Sequence, residues 1–339
     1  MARVLVLGGT RFLGPPTVRW LIETGHEVTI FHRGGTEPPA CADAEHVHGD
    51  FAACAESLPK LIGFRPEVVL DVVPYMDKAG HGVLHFAGVA DRAVVVTSLD
   101  VYRAFAVAWG SESGEIERTP LTEDSPVRAD PAPDLTPDID FDNVEVEREL
   151  LDRPELPVTV LRLPMIFGPN DPMHRLFQYV RRMDDGRPAI VIDEARATLR
   201  WSRGYVDNVA AAVGLAVDHP ESAGRVFNVA AEETPTEAEW VRWIGDACGW
   251  TGEIVVAPTD SLPATMRSPL SMRQDMVVSS ERIRAELGYG EPVARGEALR
   301  RTVAWTRAHP PPAERLDYSL EDRVLQAVSR YPPAAPAGS

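Results

Sequence analysis

The seven residues Gly8-Gly9-Thr10-Arg11-Phe12-Leu13-Gly14 are the stretch of this chain best suited to holding a charged ligand. Glycines let a main chain come close to a pyrophosphate, and a helix that starts at such a turn aims its free N–H groups at negative charge. What lies on either side fits that chemistry. Arg3 to Leu7 is a short branched apolar run that reads as a buried strand, and apolar residues resume at Val18, Leu21 and Ile22 until Gly25, which is helical spacing. A second strand, Glu27 to Phe31, ends roughly 20 residues beyond the turn, where a dinucleotide fold reads the adenosine ribose. Glycines alone would serve equally for a tight turn without a ligand; the order strand, turn, helix, strand predicts dinucleotide binding.

The elements that must position this turn alternate. A short strand runs through Val47, a helix from near Phe51 to Ile62, a strand from Val68 to Val73, a helical stretch from Val83 to Val89 and a strand from Ala93 to Thr97. Such alternation implies a parallel sheet covered on both faces. Residues 110–140 are acidic and proline-rich, an irregular insertion of the kind that forms lids or stays disordered. A helix over Asp142–Leu151 and a strand over Val158–Leu163 follow. Later signals are shorter. Ala189–Ile192 and Arg225–Val229 read as strands, and Val206–Val217, Thr236–Cys248, Ser279–Leu287, Glu297–Arg307 and an amphipathic Ala313–Ser329 read as helices. The expected fold is therefore α/β, a Rossmann-type doubly wound parallel sheet with a smaller mixed α/β substrate-binding lobe. Residues 1–166 would form the dinucleotide-binding domain, with pieces returning near 201–230. Residues 167–330 would form the substrate lobe, and residues 331–339 a flexible tail.

Bulk properties narrow the function classes. The chain has 339 residues and a formal net charge of −17, so phosphate backbones are repelled and nucleic acid is not an expected partner. No apolar run approaches the length of a membrane span, and the residues before the first strand show no leader pattern, so neither a membrane span nor a leader is expected. Cys41, Cys54 and Cys248 are scattered and show no metal-ligand spacing, which suits a reduced cytoplasmic setting and gives no metal site.

Taken in order, several motifs resemble the extended short-chain dehydrogenase/reductase superfamily, in particular its NAD-dependent epimerase/dehydratase family. They are the glycine turn, Gly49-Asp50, Thr97-Ser98-Leu99-Asp100-Val101-Tyr102, Leu161-Arg162-Leu163-Pro164 with Phe167-Gly168-Pro169, Gly204-Tyr205-Val206-Asp207-Asn208-Val209-Ala210, Phe227-Asn228-Val229 and Leu287-Gly288-Tyr289. The resemblance implies that Gly8, Thr10, Arg11, Phe12, Leu13 and Gly14 hold the pyrophosphate. Asp50 would accept from the adenine amino group, and Val73, Pro74 and Pro164 would line the coenzyme. The ribose-reading position is occupied by His32 and Arg33 rather than a carboxylate. With Arg11 nearby this favours NADP(H), leaving NAD(H) as the alternative. Arg200, Arg203 and Arg273 resemble arginines that grip a substrate diphosphate, a task suited to the guanidinium fork, although an ordinary ion pair explains them equally.

The catalytic pattern departs from the resemblance. Ser98 stands where the family's hydroxyl holds the reacting oxygen; its bland alternative is a capping hydroxyl. The Tyr-x-x-x-Lys pair that normally moves the proton is missing: the tyrosine and lysine positions hold Ile139 and Asn143, or Phe141 and Glu145 in the other register. Tyr102, Tyr75 or Asp100 could substitute; the substrate could need little proton assistance; or the fold could bind a nucleotide without redox chemistry. Three readings follow. The leading one is an NAD(P)-dependent oxidoreductase acting on a small hydroxylated or carbonyl metabolite, such as a nucleotide sugar or a secondary-metabolite intermediate. The others are a catalytically silent nucleotide-binding protein and an RNA-binding relative. Homodimers are common in the family, but no stretch of this sequence marks an interface.

Overall fold

Branched apolar residues fill the strands of the central sheet because both of its faces are covered. In β1 (Arg3–Leu7) the side chains alternate between two separate cores. Val4 and Val6 join Val18 and Leu21 on one side, whereas Leu5 and Leu7 join Leu61, Phe86 and Leu150 on the other. Period-two alternation with apolar residues at both phases is what a doubly covered parallel strand requires.

The computed structural model describes residues 1–50, 56–72, 76–77, 80–129, 142–151, 153–268, 274–312 and 316–330. After β1 come β2 (Glu27–His32), β3 (Glu45–His48), β4 (Val68–Asp71) and a small antiparallel pair, β5 (Met76–Asp77) and β6 (Gly80–His81). The chain continues through β7 (Arg92–Ser98), β8 (Val158–Leu163), β9 (Met165–Phe167), β10 (Ala189–Asp193), β11 (Arg203–Tyr205), β12 (Val226–Asn228) and β13 (Glu253–Ala257). Seven of these strands form one parallel sheet in the order β12-β8-β7-β4-β1-β2-β3. From β1 the chain builds outward one way through β2 and β3 and the other way through β4, β7, β8 and β12. The crevice between the carboxyl ends of β1 and β4 is the switch point at which such sheets bind ligands. The expected α/β doubly wound architecture is thus the one observed. Two further parallel pairs, β9 with β11 and β10 with β13, lie outside the main sheet.

The helices are α1 (Gly14–Glu23), α2 (Leu58–Gly63), α3 (Arg103–Trp109), α4 (Asn143–Leu150), α5 (Phe177–Asp184), α6 (Glu194–Ala197), α7 (Val206–Asp218), α8 (Glu237–Cys248), α9 (Glu281–Leu287), α10 (Arg295–Ala308) and α11 (Ser319–Arg330). Some follow directly from local chemistry. Thr236 and Glu239 close a reciprocal capping box at the start of α8. Asp142 caps α4 by accepting from the Val144 N–H at 2.9 Å.

Several sequence expectations need correction. The stretch expected to be helical over Val83–Val89 is a 3₁₀ turn over Gly82–Phe86, and α11 starts at Ser319 rather than Ala313. The strand expected from Val68 to Val73 ends at Asp71. The short elements α3, β9, β11 and β13 lacked a periodic signal long enough to read. Residues 51–55, at the start of the helix expected near Phe51, and residues 331–339 of the expected tail lie outside the described residues.

One buried ion pair ties the sheet to α4. Arg162 on β8 donates to both oxygens of Glu147, through Nε at 3.0 Å and Nη2 at 2.6 Å, and Thr97 Oγ1 on β7 donates to the same carboxylate at 2.8 Å. Both charged side chains are only 5% exposed. A desolvated pair costs most when one partner is removed, because the other charge stays buried without compensation. Glu147→Ala should therefore lower the unfolding free energy by about 3–5 kcal/mol. Urea unfolding followed by circular dichroism measures this, and a loss below about 1 kcal/mol would show that Arg162 finds another partner.

Candidate functional site

The glycine turn adopts the backbone its composition calls for. Gly8 and Gly9 lie at φ 88° and 85°, in the left-handed region open to glycine, and Phe12 is held at φ 43°, unusual for a bulky residue. A Cβ at Gly14 would stand 2.3 Å from the Gly9 carbonyl carbon, so only glycine permits this closeness of turn and helix. Gly14 N–H is spent on the Arg11 carbonyl at 2.8 Å and Gly8 N–H on the Phe31 carbonyl at 2.9 Å. Among the described residues, the amides of Arg11, Phe12 and Leu13 find no acceptor. Pro15 and Pro16, in the first turn of α1, have no N–H to offer, which leaves those turn amides as the donors for an anion. Arg11 is exposed, Thr10 and Phe12 are half-buried and Leu13 is buried. This cradle fits a pyrophosphate.

Of the residues expected to read the ribose and adenine, His32 closes β2 and is buried, whereas Arg33 and Asp50 are exposed. Burial, then the facing rings of His46 and His48, lowers the His32 pKa. Pro164 is buried between β8 and β9. Val73, Pro74 and Tyr75 lie outside the described residues.

Where the proton-handling pair is expected, different groups meet. Ser98 ends β7, and its Oγ accepts from the Asp100 N–H at 3.3 Å, capping the short turn Leu99–Val101. The Asp100 carboxylate accepts from Asn143 Nδ2 at 3.0 and 3.2 Å. Sequence reasoning named Asn143 at the lysine position and Asp100 as a substitute acid or base, but not that the two touch. Arg128 Nε donates to the Asp100 carbonyl at 2.9 Å, and its Nη1 lies 2.7 Å from the Asp142 carboxylate. Arg128 belongs to the proline-rich insertion and carried no sequence signal. Burial raises the Asp100 pKa, against the opposing pull of Arg128 and the Asn143 bond. Of the alternative tyrosine and lysine positions, Ile139 and Phe141 lie outside the described residues, and Glu145 is exposed.

Tyr102 is turned inward. Its hydroxyl donates to Asn228 Oδ1 at 2.7 Å, the Arg162 guanidinium covers its ring at 4.8 Å, and burial pushes its pKa up to about 12. A phenol so placed ties the segment that follows β7 to β12 and is fully buried. Of the arginines expected to read a substrate diphosphate, Arg203 is buried against Glu237 and lies over the Trp240 ring at 4.6 Å, the ordinary ion-pair role. Glu237 also accepts from Tyr179 at 2.7 Å and Arg196 at 3.0 Å. Arg200 is exposed, with Nη1 donating to the Thr234 carbonyl at 2.7 Å. Arg273 lies outside the described residues.

Comparison with known proteins places this geometry. The model of the NAD dependent epimerase/dehydratase family matches residues 146–230. About 90% of the chain shares its fold with solved structures of a dehydratase and an epimerase. A dTDP-glucose 4,6-dehydratase from Bacillus anthracis, in complex with NAD, superposes with a TM-score of 0.67 at 17% identity over 91% of this chain and 97% of that one. The UDP-glucose 4-epimerase of Thermotoga maritima, with UDP-glucose, gives 0.65 at 18% identity over 90% of this chain and 99% of that one. The resemblance read from the motifs is borne out. The protein y4nL of Sinorhizobium fredii is 27% identical over 170 residues, 44% of this chain and 47% of that protein, so the match spans about half the length of this curated relative. No helix among the described residues is long and apolar enough to cross a membrane.

Asp100 makes a measurable claim about pH. A carboxyl whose pKa is raised on folding keeps its proton in a range where the unfolded chain has released it, so stability falls as pH climbs from about 4 toward the raised value. Asp100→Asn removes this titration, and the fall in melting temperature across that window should shrink. Identical pH profiles for the two proteins would show that Asp100 ionises normally.

Proposed function

We propose that this chain is an NAD(P)-dependent enzyme of the epimerase/dehydratase type acting on a small hydroxylated or carbonyl-bearing metabolite, with nucleotide sugars the leading class. One observation carries this reading: a glycine turn with amides open to an anion stands at the switch point of a seven-stranded parallel sheet. Residues 1–166 would hold the dinucleotide and residues 167–330 the substrate. The NAD and UDP-glucose held by structures of the same fold support a dinucleotide and a nucleotide sugar as the two ligands.

When bound, the nicotinamide supplies the hydride acceptor or donor. Gly8, Gly14 and the amides of Arg11, Phe12 and Leu13 hold the pyrophosphate, and Asp50 takes the adenine end. Ser98 orients the reacting oxygen. Asp100 lies two residues beyond it and takes the part of the missing phenol: a carboxyl with raised pKa can hold and release a proton closer to neutrality than an exposed one. Asn143 donates to both Asp100 oxygens and so positions the carboxylate. The exposed guanidiniums of Arg11 and Arg33 favour a 2′-phosphate, hence NADP(H), with NAD(H) as the alternative. Cys41 and Cys248 are free thiols, which supports the reducing cytoplasm as the setting.

Titration of the full chain with NADPH and NADH, followed by coenzyme fluorescence, tests the binding half. Gly14→Val should abolish binding, and unchanged affinity in a folded variant would place the pyrophosphate elsewhere. Turnover on a carbonyl and nucleotide-sugar panel tests the catalytic half: Ser98→Ala and Asp100→Asn should each lower kcat by about 10²-fold or more. Coenzyme binding without any turnover would mark a silent nucleotide-binding protein instead. Arg33→Asp should weaken NADPH by roughly 10- to 100-fold while sparing NADH; an unaltered ratio of the two affinities would refute the ribose-phosphate role.

A further inference from the structure

The edge of the sheet beside β2 gathers three imidazoles and a carboxylate that the proposed chemistry does not use as a set. Parallel pairing sets His32 of β2 opposite His48 of β3, and His46 opposite Ile30. Residues two apart on a strand share a face, so His32, His46 and His48 all project from the same side. Glu37, in the loop between the two strands, brings its carboxylate to the same spot. One ligand atom from each of the four residues lies within 4.8 Å of every other. His32 Nε2 is 2.8 Å from His46 Nδ1 and 4.0 Å from Glu37 Oε1, and Glu37 Oε1 is 2.7 Å from His48 Nε2.

From this arrangement we infer that His32, Glu37, His46 and His48 bind a divalent transition-metal ion of the zinc class. Ligand atoms of a tetrahedral zinc site stand about 3.3 Å apart, given metal–nitrogen bonds of about 2.0 Å. The observed spacings bracket that value, so closing on an ion takes side-chain adjustment and no change in strand register. The ligand type selects the metal: three imidazoles with one carboxylate suit zinc, cobalt, nickel or copper, and not magnesium or calcium, which take oxygen.

An outer shell is already in place. His46 Nε2 lies 3.0 Å from the Cys41 carbonyl, and donating there leaves the lone pair of His46 Nδ1 aimed into the cluster, the arrangement that orients metal-bound histidines. The Gly34 N–H reaches His32 Nδ1 at 3.1 Å, so in the metal-free protein His32 Nε2 carries the hydrogen shared with His46. Binding an ion through His32 Nε2 moves that hydrogen to His32 Nδ1, a change of tautomer that gives up the Gly34 N–H bond and keeps the ring neutral. His32 is buried and His46 half-buried, whereas Glu37 and His48 are exposed, so the site is anchored in the sheet and open on the side from which an ion arrives.

The test uses the untagged full-length chain after chelator treatment. Zinc titrated against a chromophoric chelator should bind at one ion per chain, and cobalt should develop the visible absorption of a four-coordinate site. His48→Ala and Glu37→Gln change exposed side chains and should keep the far-ultraviolet circular dichroism. Each should weaken zinc by more than the roughly 10- to 100-fold lost with an outer-shell partner. His219→Ala, a surface histidine outside the cluster, should bind zinc as before. Absence of the cobalt band, or zinc affinity in His48→Ala equal to that of the parent chain, would overturn the assignment. These readouts do not depend on coenzyme or turnover, so failure of the metal site and failure of the proposed enzyme activity are distinguishable.

Discussion

The close approach of Gly14 to the Gly9 carbonyl is the constraint on which the N-terminal part of the sheet depends. A helix that begins directly against a strand-end turn can do so only where no side chain intervenes, and the turn then has to be traversed with left-handed residues at Gly8, Gly9 and Phe12. Within that turn the amides of Arg11, Phe12 and Leu13 keep their hydrogens free of any acceptor among the described residues. Because Pro15 and Pro16 follow at once, the helix adds little hydrogen-bonding capacity of its own. The donors available here therefore belong to the turn, held in place by two doubly covered strands.

The other side of the crevice is organised by charge. Glu147 gathers Thr97 from β7 and Arg162 from β8, so the helix that begins at Asn143 is fixed against both strands. With α4 fixed, Asn143 reaches the Asp100 carboxylate, and Arg128 spans Asp100 and Asp142 from the insertion. A lysine at position 143 would meet a carboxylate in place of a phenol. Asp100, Asn143, Arg128 and Asp142 thus form one polar cluster whose geometry is set by the fixed position of α4.

Much of the fold was legible because its information is local. Arg3–Leu7, the glycine turn and the apolar spacing from Val18 to Ile22 each carry a period or a breaker within ten residues, and the capping box at Thr236 does the same for α8. What stayed hidden depends on distant partners. Asp100 and Asn143 are 43 residues apart with a proline-rich stretch between them, and Arg203 meets Glu237 across 34. The histidines at 46 and 48 did form a local alternation, yet its meaning lay in the pairing of β3 with β2, which no single strand reveals.

Cys41 belongs to two neighbourhoods at once. Its carbonyl steadies the His46 ring, and its buried sulfur lies 3.7 Å from the Gly9 carbonyl, with burial raising the thiol pKa to about 11. So buried and weakly acidic a thiol carries little thiolate at neutral pH. The histidine edge and the glycine turn therefore share a common wall one residue thick, because Cys41 touches both the His46 ring and the Gly9 carbonyl against which the first helix begins.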